Sequence, residues 1–384
     1  MPNLFTDVVP ILVAQGLQTL RAACVMPRLV NTDYSNTPAN QGDVVNLYIP
    51  SAQTVTDVSA TAAPFQAPDA QPVRSPIPLN RWRRSGFYLT DKEQEEIVGG
   101  IQSRQTAEAV KALAQDINAF IFSRYTRVFG FVGTAGTTPF ASDVTGATNA
   151  RAQLNRQTVP LADRRLVLDV NAEANALALP AFAQAQQIGS ATTVIEGTLG
   201  RRYGFDVAMD QQVPTHVSTV LTAGAATANG VQAVNAGSSD GGRTGTVSIA
   251  KATNTSPLVA GDIISFAGDP NTYVVTANTT LIVGNTTVPI APALQVAKAG
   301  GEAVTLRASH VVNLAFHRDA FGFVSRPLQT SSQNVAEMMS VADPVSGVAL
   351  RLEVVRQNKQ TLFDFDVLYG AACVRPELAV RLAG

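Results

Sequence analysis

The chain of 384 residues is long for one hydrophobic core, so two or more lobes are expected. Its 28 basic and 29 acidic residues nearly cancel, which excludes a protein whose main affinity comes from neutralising phosphates. Five of the basic residues are lysine (Lys92, Lys111, Lys251, Lys298 and Lys359), leaving 23 arginines, the side chain suited to fixed bidentate ion pairs at interfaces.

Residues 4–26 place Val8, Ile11, Leu12, Leu20 and Ala23 at roughly helical spacing, with Pro10 tolerated in the first turn. This predicts an amphipathic N-terminal arm. The apolar run VVPILVA within it is too short to span a membrane and follows no basic stretch, so neither insertion nor export is expected. Cys24 and Cys373 lie near opposite ends of the chain without disulfide or zinc spacing, which fits cytoplasmic synthesis.

From residue 41 to residue 90 the character of the chain changes. VVNLYIP and PIPLNRWRRSGFYLT read as strands around a loose Ala-, Pro-, Ser- and Thr-rich segment, as in a long hairpin. With about 20 extended residues in each leg it reaches about 60 Å. A body of about 290 residues has a radius of gyration of only roughly 19 Å, so the arm overhangs it.

Thr90-Asp91-Lys92-Glu93 is a capping box that starts a helix. Val110, Leu113, Ile117, Phe120, Ile121 and Val128 then recur at three and four residues, predicting a long helix with one apolar face and an interruption at Gly99-Gly100. Residues 147–210 alternate in type: a helix near 149–157, the strand RRLVLDV, a helix over 171–185 and the strand YGFDVAMD.

Helical periodicity disappears over residues 217–307. GTVSIAKA, DIISFAG, NTYVVTA and TLIVG are short strand-like pieces between turn residues, as in a separate β domain inserted into the first. HVVNLAFHRDAFGFVSRPL then returns to the character of the residues before the insertion. Alternation in GVALRLEVVR and TLFDFDVLY, with Gln357-Asn358-Lys359 between them, predicts a hairpin, and VRPELAVRL adds a final strand.

Four features invite chemistry. GTLGRRYG lacks the Lys-Ser/Thr of a P-loop and the spacing of a dinucleotide fingerprint, so Gly197, Gly200 and Gly204 are read as backbone turn positions. His216, His310 and His317 have no ligand-type neighbour at metal spacing, although the first two bracket the insertion and are placed to approach each other. Asp364 and Asp366 share a strand face and are expected as solvated charges opposite Arg351 or Arg356. Arg81-Trp82-Arg83-Arg84, with the only tryptophan, suits a base stack, a solvated face or a protein interface; its place at the base of an overhanging arm favours a neighbouring subunit. No catalytic constellation, metal site or cofactor motif is present, so no enzyme activity and no cofactor is expected.

The order of these elements resembles the major capsid (coat) proteins of tailed bacteriophages. VIEGTLGRRYGFDVAMDQQVPTH, VAGDIISFAG with TYVV, and FDFDVLYGAACVRPELAVRL carry the likeness, which is nearest to the short-tailed-phage branch with an inserted β-barrel domain. The resemblance implies an α+β tailed-phage capsid fold: an N-terminal arm (1–36), an extended loop or E-loop (37–90), a peripheral domain with a spine helix (91–146 and 346–384), an axial domain (147–216 and 308–345) and an inserted all-β barrel (217–307). It further implies an icosahedral shell of pentamers and hexamers of the chain itself around double-stranded DNA, held nonspecifically. Scaffolding, portal and cement or decoration proteins are the implied partners, with assembly in the host bacterial cytoplasm and no membrane.

Residues 37–90 contain no lysine, so the isopeptide weld of some relatives is not expected and maturation is noncovalent. The chain as given lacks the scaffolding segment that precedes the N-arm in some relatives, which points to a separate scaffolding protein. In the insertion, the loop NAGSSDGGRTG offers Asp240 and Arg243 either for a salt bridge across a two-fold or as part of an exposed, mobile loop. An encapsulin-like nanocompartment shell is the alternative function on the same fold. A β-rich adhesin would explain the insertion but not the long capped helix.

Overall fold

The computed structural model of the chain describes residues 8–33, 44–50, 55, 72–96, 101–183, 196–219, 221, 226–238, 240, 242–328 and 337–384. The N-terminal helix Val8–Ala23 buries Leu12, Val13 and Leu20 and leaves Ile11 exposed. Leu12 and Leu20 of the expected stripe thus face the core and Ile11 does not, Val13 being buried instead, on the side where Gly16 lies close to Val110 of the long helix Ile101–Phe122 and to Leu350 and Phe365 of the sheet below. A short helix Met26–Leu29 follows, and Asn118 binds both its first amide and the Ala23 carbonyl.

Among the described residues the predicted hairpin is differently built. Val44–Ile49 pairs antiparallel with Val73–Pro78 as an isolated two-stranded ribbon of six residues a side, roughly 20 Å long at ~3.3 Å per residue. The remainder of its second leg, Arg81–Thr90, leaves the ribbon and pairs along its whole length with Gln360–Cys373, so it belongs to the body. The break falls at Leu79-Asn80, where Leu79 joins Val45, Ile77, Val324 and Val374 in a small core that anchors the ribbon. The expected loose tip lies mostly outside the described residues.

Thr90 and Glu93 form the capping box: the Glu93 carboxylate accepts from the Thr90 amide and hydroxyl, and the Glu93 amide donates back to the Thr90 hydroxyl. The helix Asp91–Glu96 and the long helix Ile101–Phe122 follow; the Gly99-Gly100 interruption lies outside the described residues. The long helix packs over a five-stranded antiparallel sheet. In it Gln360–Cys373 is flanked on one side by Arg81–Thr90 and on the other by Ala349–Gln357 and Phe321–Arg326, and Glu337–Ala342 extends it past Ala349–Gln357. The predicted hairpin is present, with Gln357 paired to Gln360 so that the turn is the two residues Asn358 and Lys359, Asn358 at φ 52°.

A second, seven-stranded sheet runs in the order Gly130–Val132, Ala379–Ala383, His310–His317, Arg164–Leu168, Phe205–Met209 and Arg201–Arg202, with Thr215–His216 also paired to His310–His317. The helix Thr145–Arg156 covers it. The helix expected over 171–185 is two pieces, Val170–Ala178 and Pro180–Ala183, because Pro180 forces Leu179 into an extended conformation. Residues 184–185 lie outside the described residues. One continuous core joins both sheets and both long helices.

The insertion has a core of its own around Val247, Ile249, Phe266, Tyr273, Val288 and Ile290. Six of its described strands form one sheet in the order Val304–Leu306, Ile263–Phe266, Tyr273–Val275, Gly284–Ala291, Gly245–Lys251 and Ala226–Ala228, and Ser256–Leu258 pairs with Thr279–Leu281 separately. The last strand returns to the first through hydrogen bonds between Ala228 and residues Gly301 and Glu302, and through the Thr227–Ala303 bridge, so the sheet is a nearly closed barrel.

Candidate assembly surfaces

Three surfaces contain the residues singled out from sequence. The first is the strand Arg81–Thr90, which has a described sheet partner on one side only. Alternation sends Trp82 and Arg84 to one face of the sheet and Arg81 and Arg83 to the other. On the first face the Trp82 indole donates to the Asp366 carboxylate at 2.8 Å while its ring stays about two-thirds exposed. Arg351 grips Asp366 through two nitrogens, and Arg84 stands 3.7 Å from Asp364. Asp366 is buried, contrary to the solvated position expected for it, because the indole and the guanidinium cover it from both sides. Burial pushes the Asp364 carboxyl above its ordinary value; Arg84 opposes this, and Asp366 and Glu353 add to it.

On the opposite face Arg83 lies 3.4 Å from Asp116 of the long helix, and the Tyr369 hydroxyl also donates to Asp116. Arg81 stacks on Phe120 at 4.8 Å, and Arg124 covers the same ring at 4.3 Å. A groove of about 270 Å³ runs between this strand and the helix, lined by Arg83, Arg84, Ser85, Ala112, Leu113 and Asp116.

The second surface is the glycine loop. Gly197, Gly200 and Gly204 have φ of 67°, 58° and 84°, the left-handed region. Tyr203 also has positive φ, and with Gly204 it forms the two-residue turn between Arg201-Arg202 and Phe205-Asp206. Arg151 caps this turn by donating to the Tyr203 carbonyl.

The third is the joint between barrel and body. Asp240 accepts from Ser238 and from the amide and hydroxyl of Thr244, while Arg243 donates to the Val374 carbonyl at 2.7 Å and lies 3.7 Å from Glu377 of the same chain. Burial opposes ionisation of Asp240, but these hydrogen bonds hold its carboxyl below the usual value.

Deeper in the joint, His216 and His310 face each other as strand partners with rings 5.5 Å apart. His216 Nε2 is hydrogen-bonded to the Asp262 carboxylate at 2.9 Å and Nδ1 to the Tyr125 hydroxyl at 3.0 Å. Burial pushes the His310 imidazole down to about 4, reinforced by Arg381 and His216.

Sequence reasoning missed Arg381. It is fully buried, donates to the carbonyls of Gly261 and Tyr125, and burial drives its guanidinium down to about 10. Its sequence signal is an arginine inside the apolar run LAVRLA, a charge that needs fixed partners if the strand is covered on both faces. Among the described residues no group of three His, Cys, Asp or Glu side chains could hold a metal, and no described helix is long and apolar enough to cross a membrane.

No family model matches the chain, and no curated protein matches it. Among solved structures it is similar to one from Mycobacterium phage Che8, at 16% identity and a TM-score of 0.52, covering 93% of this chain and 90% of that one. The capsid of the cyanophage P-SCSP1u is similar at 12% identity and a TM-score of 0.48, over 93% and 87% of the two chains. The capsid of the native GTA particle is similar at 10% identity and a TM-score of 0.48, over 96% and 90%. The chain has the tailed-phage capsid fold, an α+β architecture carrying an inserted, nearly closed β barrel.

Proposed function

We propose that this chain is the major capsid subunit of a tailed bacteriophage, many copies of which close into an icosahedral shell around double-stranded DNA. The observation that carries this reading is the pairing of the capsid fold with an isolated ribbon, Val44–Ile49 with Val73–Pro78, to which no other described strand is joined. A two-stranded ribbon is marginal alone, and Tyr48 on it is two-thirds exposed. A neighbouring subunit supplies the missing cover.

In this reading residues 37–90 form the extended loop, 91–146 and 346–384 the peripheral domain, 147–216 and 308–345 the axial domain, and 217–307 the inserted domain. The shell is scaffolded and noncovalent, and it receives a portal and a cement or decoration protein. The chain has no catalytic role.

Sedimentation of the purified 40.3 kDa chain, made with and without its neighbouring genes, tests the proposal. Fast, uniform particles protecting DNA are the expected result. Uniform particles protecting a protein cargo would instead favour a nanocompartment, and slow monomers under every condition would overturn both.

A further inference from the structure

The body and the inserted barrel have separate cores. Between them lies a small apolar contact, Phe129 and Phe131 of the body against Ile263, Val274 and Ala291 of the barrel. A few polar bonds surround it: the Thr272 hydroxyl donates to the Phe129 carbonyl, Arg381 to the Gly261 carbonyl and Arg243 to the Val374 carbonyl. The chain crosses the joint on two paired strands, where His216 faces His310 and Thr215 faces Val311. Beyond them the Ser218 amide donates to the Ser309 hydroxyl, which donates back to the Ser218 carbonyl. A unit with its own core, tied by one narrow stem and a few side chains, can part from its neighbour without unfolding.

His310 stands on that stem. Its Nδ1–H donates to the Ala308 carbonyl at 2.9 Å, because a carbonyl only accepts, and Nε2 is therefore the bare nitrogen. That Nε2 is buried and has no hydrogen-bond partner. The ring lies perpendicular to Phe131 at 5.1 Å, and Arg307 covers Phe131. The ionisable groups facing His310 are Arg381 of the last strand, His216 of the paired strand and Asp262 of the barrel. Asp262 is already bonded to His216, which Tyr125 holds from its other nitrogen. A proton on Nε2 would thus add a buried donor without an acceptor and a positive charge beside the buried Arg381.

We propose that the joint is an acid-operated hinge: a proton on His310 frees the barrel from the body while each keeps its own core. This release belongs to the single chain and needs no second copy. In the docked form burial, then Arg381 and His216, outweigh the Ala308 carbonyl and Asp262 and hold the imidazole at about 4, against 6.5 for a freed one. The freed form therefore takes the proton first, so docking is complete above pH 6.5 and weakens as pH falls towards 4. The freed population should rise roughly twentyfold between about pH 7 and about pH 5.

Hydrogen exchange of the purified full chain at these two pH values, with each rate divided by its intrinsic rate at that pH, reads the release by region. Protection over residues 129–132, 259–263 and 307–312 should fall about tenfold or more, while 247–249 and 288–290 in the barrel and 363–367 in the body keep theirs. His310→Gln takes no proton in this range and should hold the protection of the joint level; if that variant does not fold, His310→Phe makes the same comparison. Unchanged protection of the joint in the acid, or a loss that takes both cores with it, would overturn the hinge. A loss as steep in the variants would overturn the part given to His310.

Discussion

At the scale of single residues, the joint between barrel and body concentrates the buried polar groups. Arg381 is buried against the Tyr125 ring and bonds the carbonyls of Tyr125 and Gly261, and each carbonyl it serves would lose its donor if the side chain were removed. Arg381→Met should therefore destabilise the chain by about 3 kcal/mol, read from denaturant unfolding. A change below about 0.5 kcal/mol would show that the carbonyls find other partners.

His310 gives the joint a pH response of definite sign. Its free value is 6.5 and its folded value about 4, so between these limits the unfolded chain binds one more proton than the folded one. The stability it contributes is complete above pH 6.5 and is lost as pH falls towards 4, at up to ~1.4 kcal/mol per pH unit. Melting temperatures measured across this window should fall, and His310→Gln should flatten the slope; an equally steep slope in that variant would assign the response to another group. The approach of the two histidines is legible in the sequence because they bracket a change in its character. Arg381 is not, since its burial depends on the barrel folding back over a strand 120 residues away.

At the scale of elements, local signals are legible where they are self-contained. The capping box at Thr90 and Glu93 and the hairpin around Asn358 follow from a few adjacent residues, whereas the break at Pro180, equally local, is passed over by the helix expected over 171–185. The division of Arg81–Thr90 from the ribbon is not legible, because an alternating strand does not name its partner. Its position is fixed instead by a close approach: a Cβ added at Gly370 would run into the Pro78 carbonyl, so the ribbon crosses the central strand only where glycine stands. Gly370→Ala should cost about 2 kcal/mol or more and loosen the ribbon, seen as faster hydrogen exchange over residues 44–49 and 73–78. Unchanged exchange there would mean that the ribbon is held by other contacts.

At the scale of the whole molecule, the order of arm, ribbon, long helix, mixed lobe, inserted barrel and closing hairpin is visible in the changing character of the chain, and the structure places these pieces in the tailed-phage capsid fold. Surfaces between copies are less legible, because a charged cluster reads the same in sequence whether it faces water, its own chain or a neighbour. Arg243 illustrates this: expected at a subunit contact or in a free loop, it bonds to Val374 of its own chain. The lysine-free stretch 37–90 predicts that mature particles dissolve to a single band near 40.3 kDa on a denaturing gel; a ladder of covalent multimers would contradict noncovalent maturation.

The most direct test of the central claim is electron microscopy of the purified chain expressed with its genomic neighbours. Closed icosahedral particles whose reconstruction fits this fold in every subunit are predicted. Fields of monomers or small oligomers, whatever is co-expressed, would contradict the account.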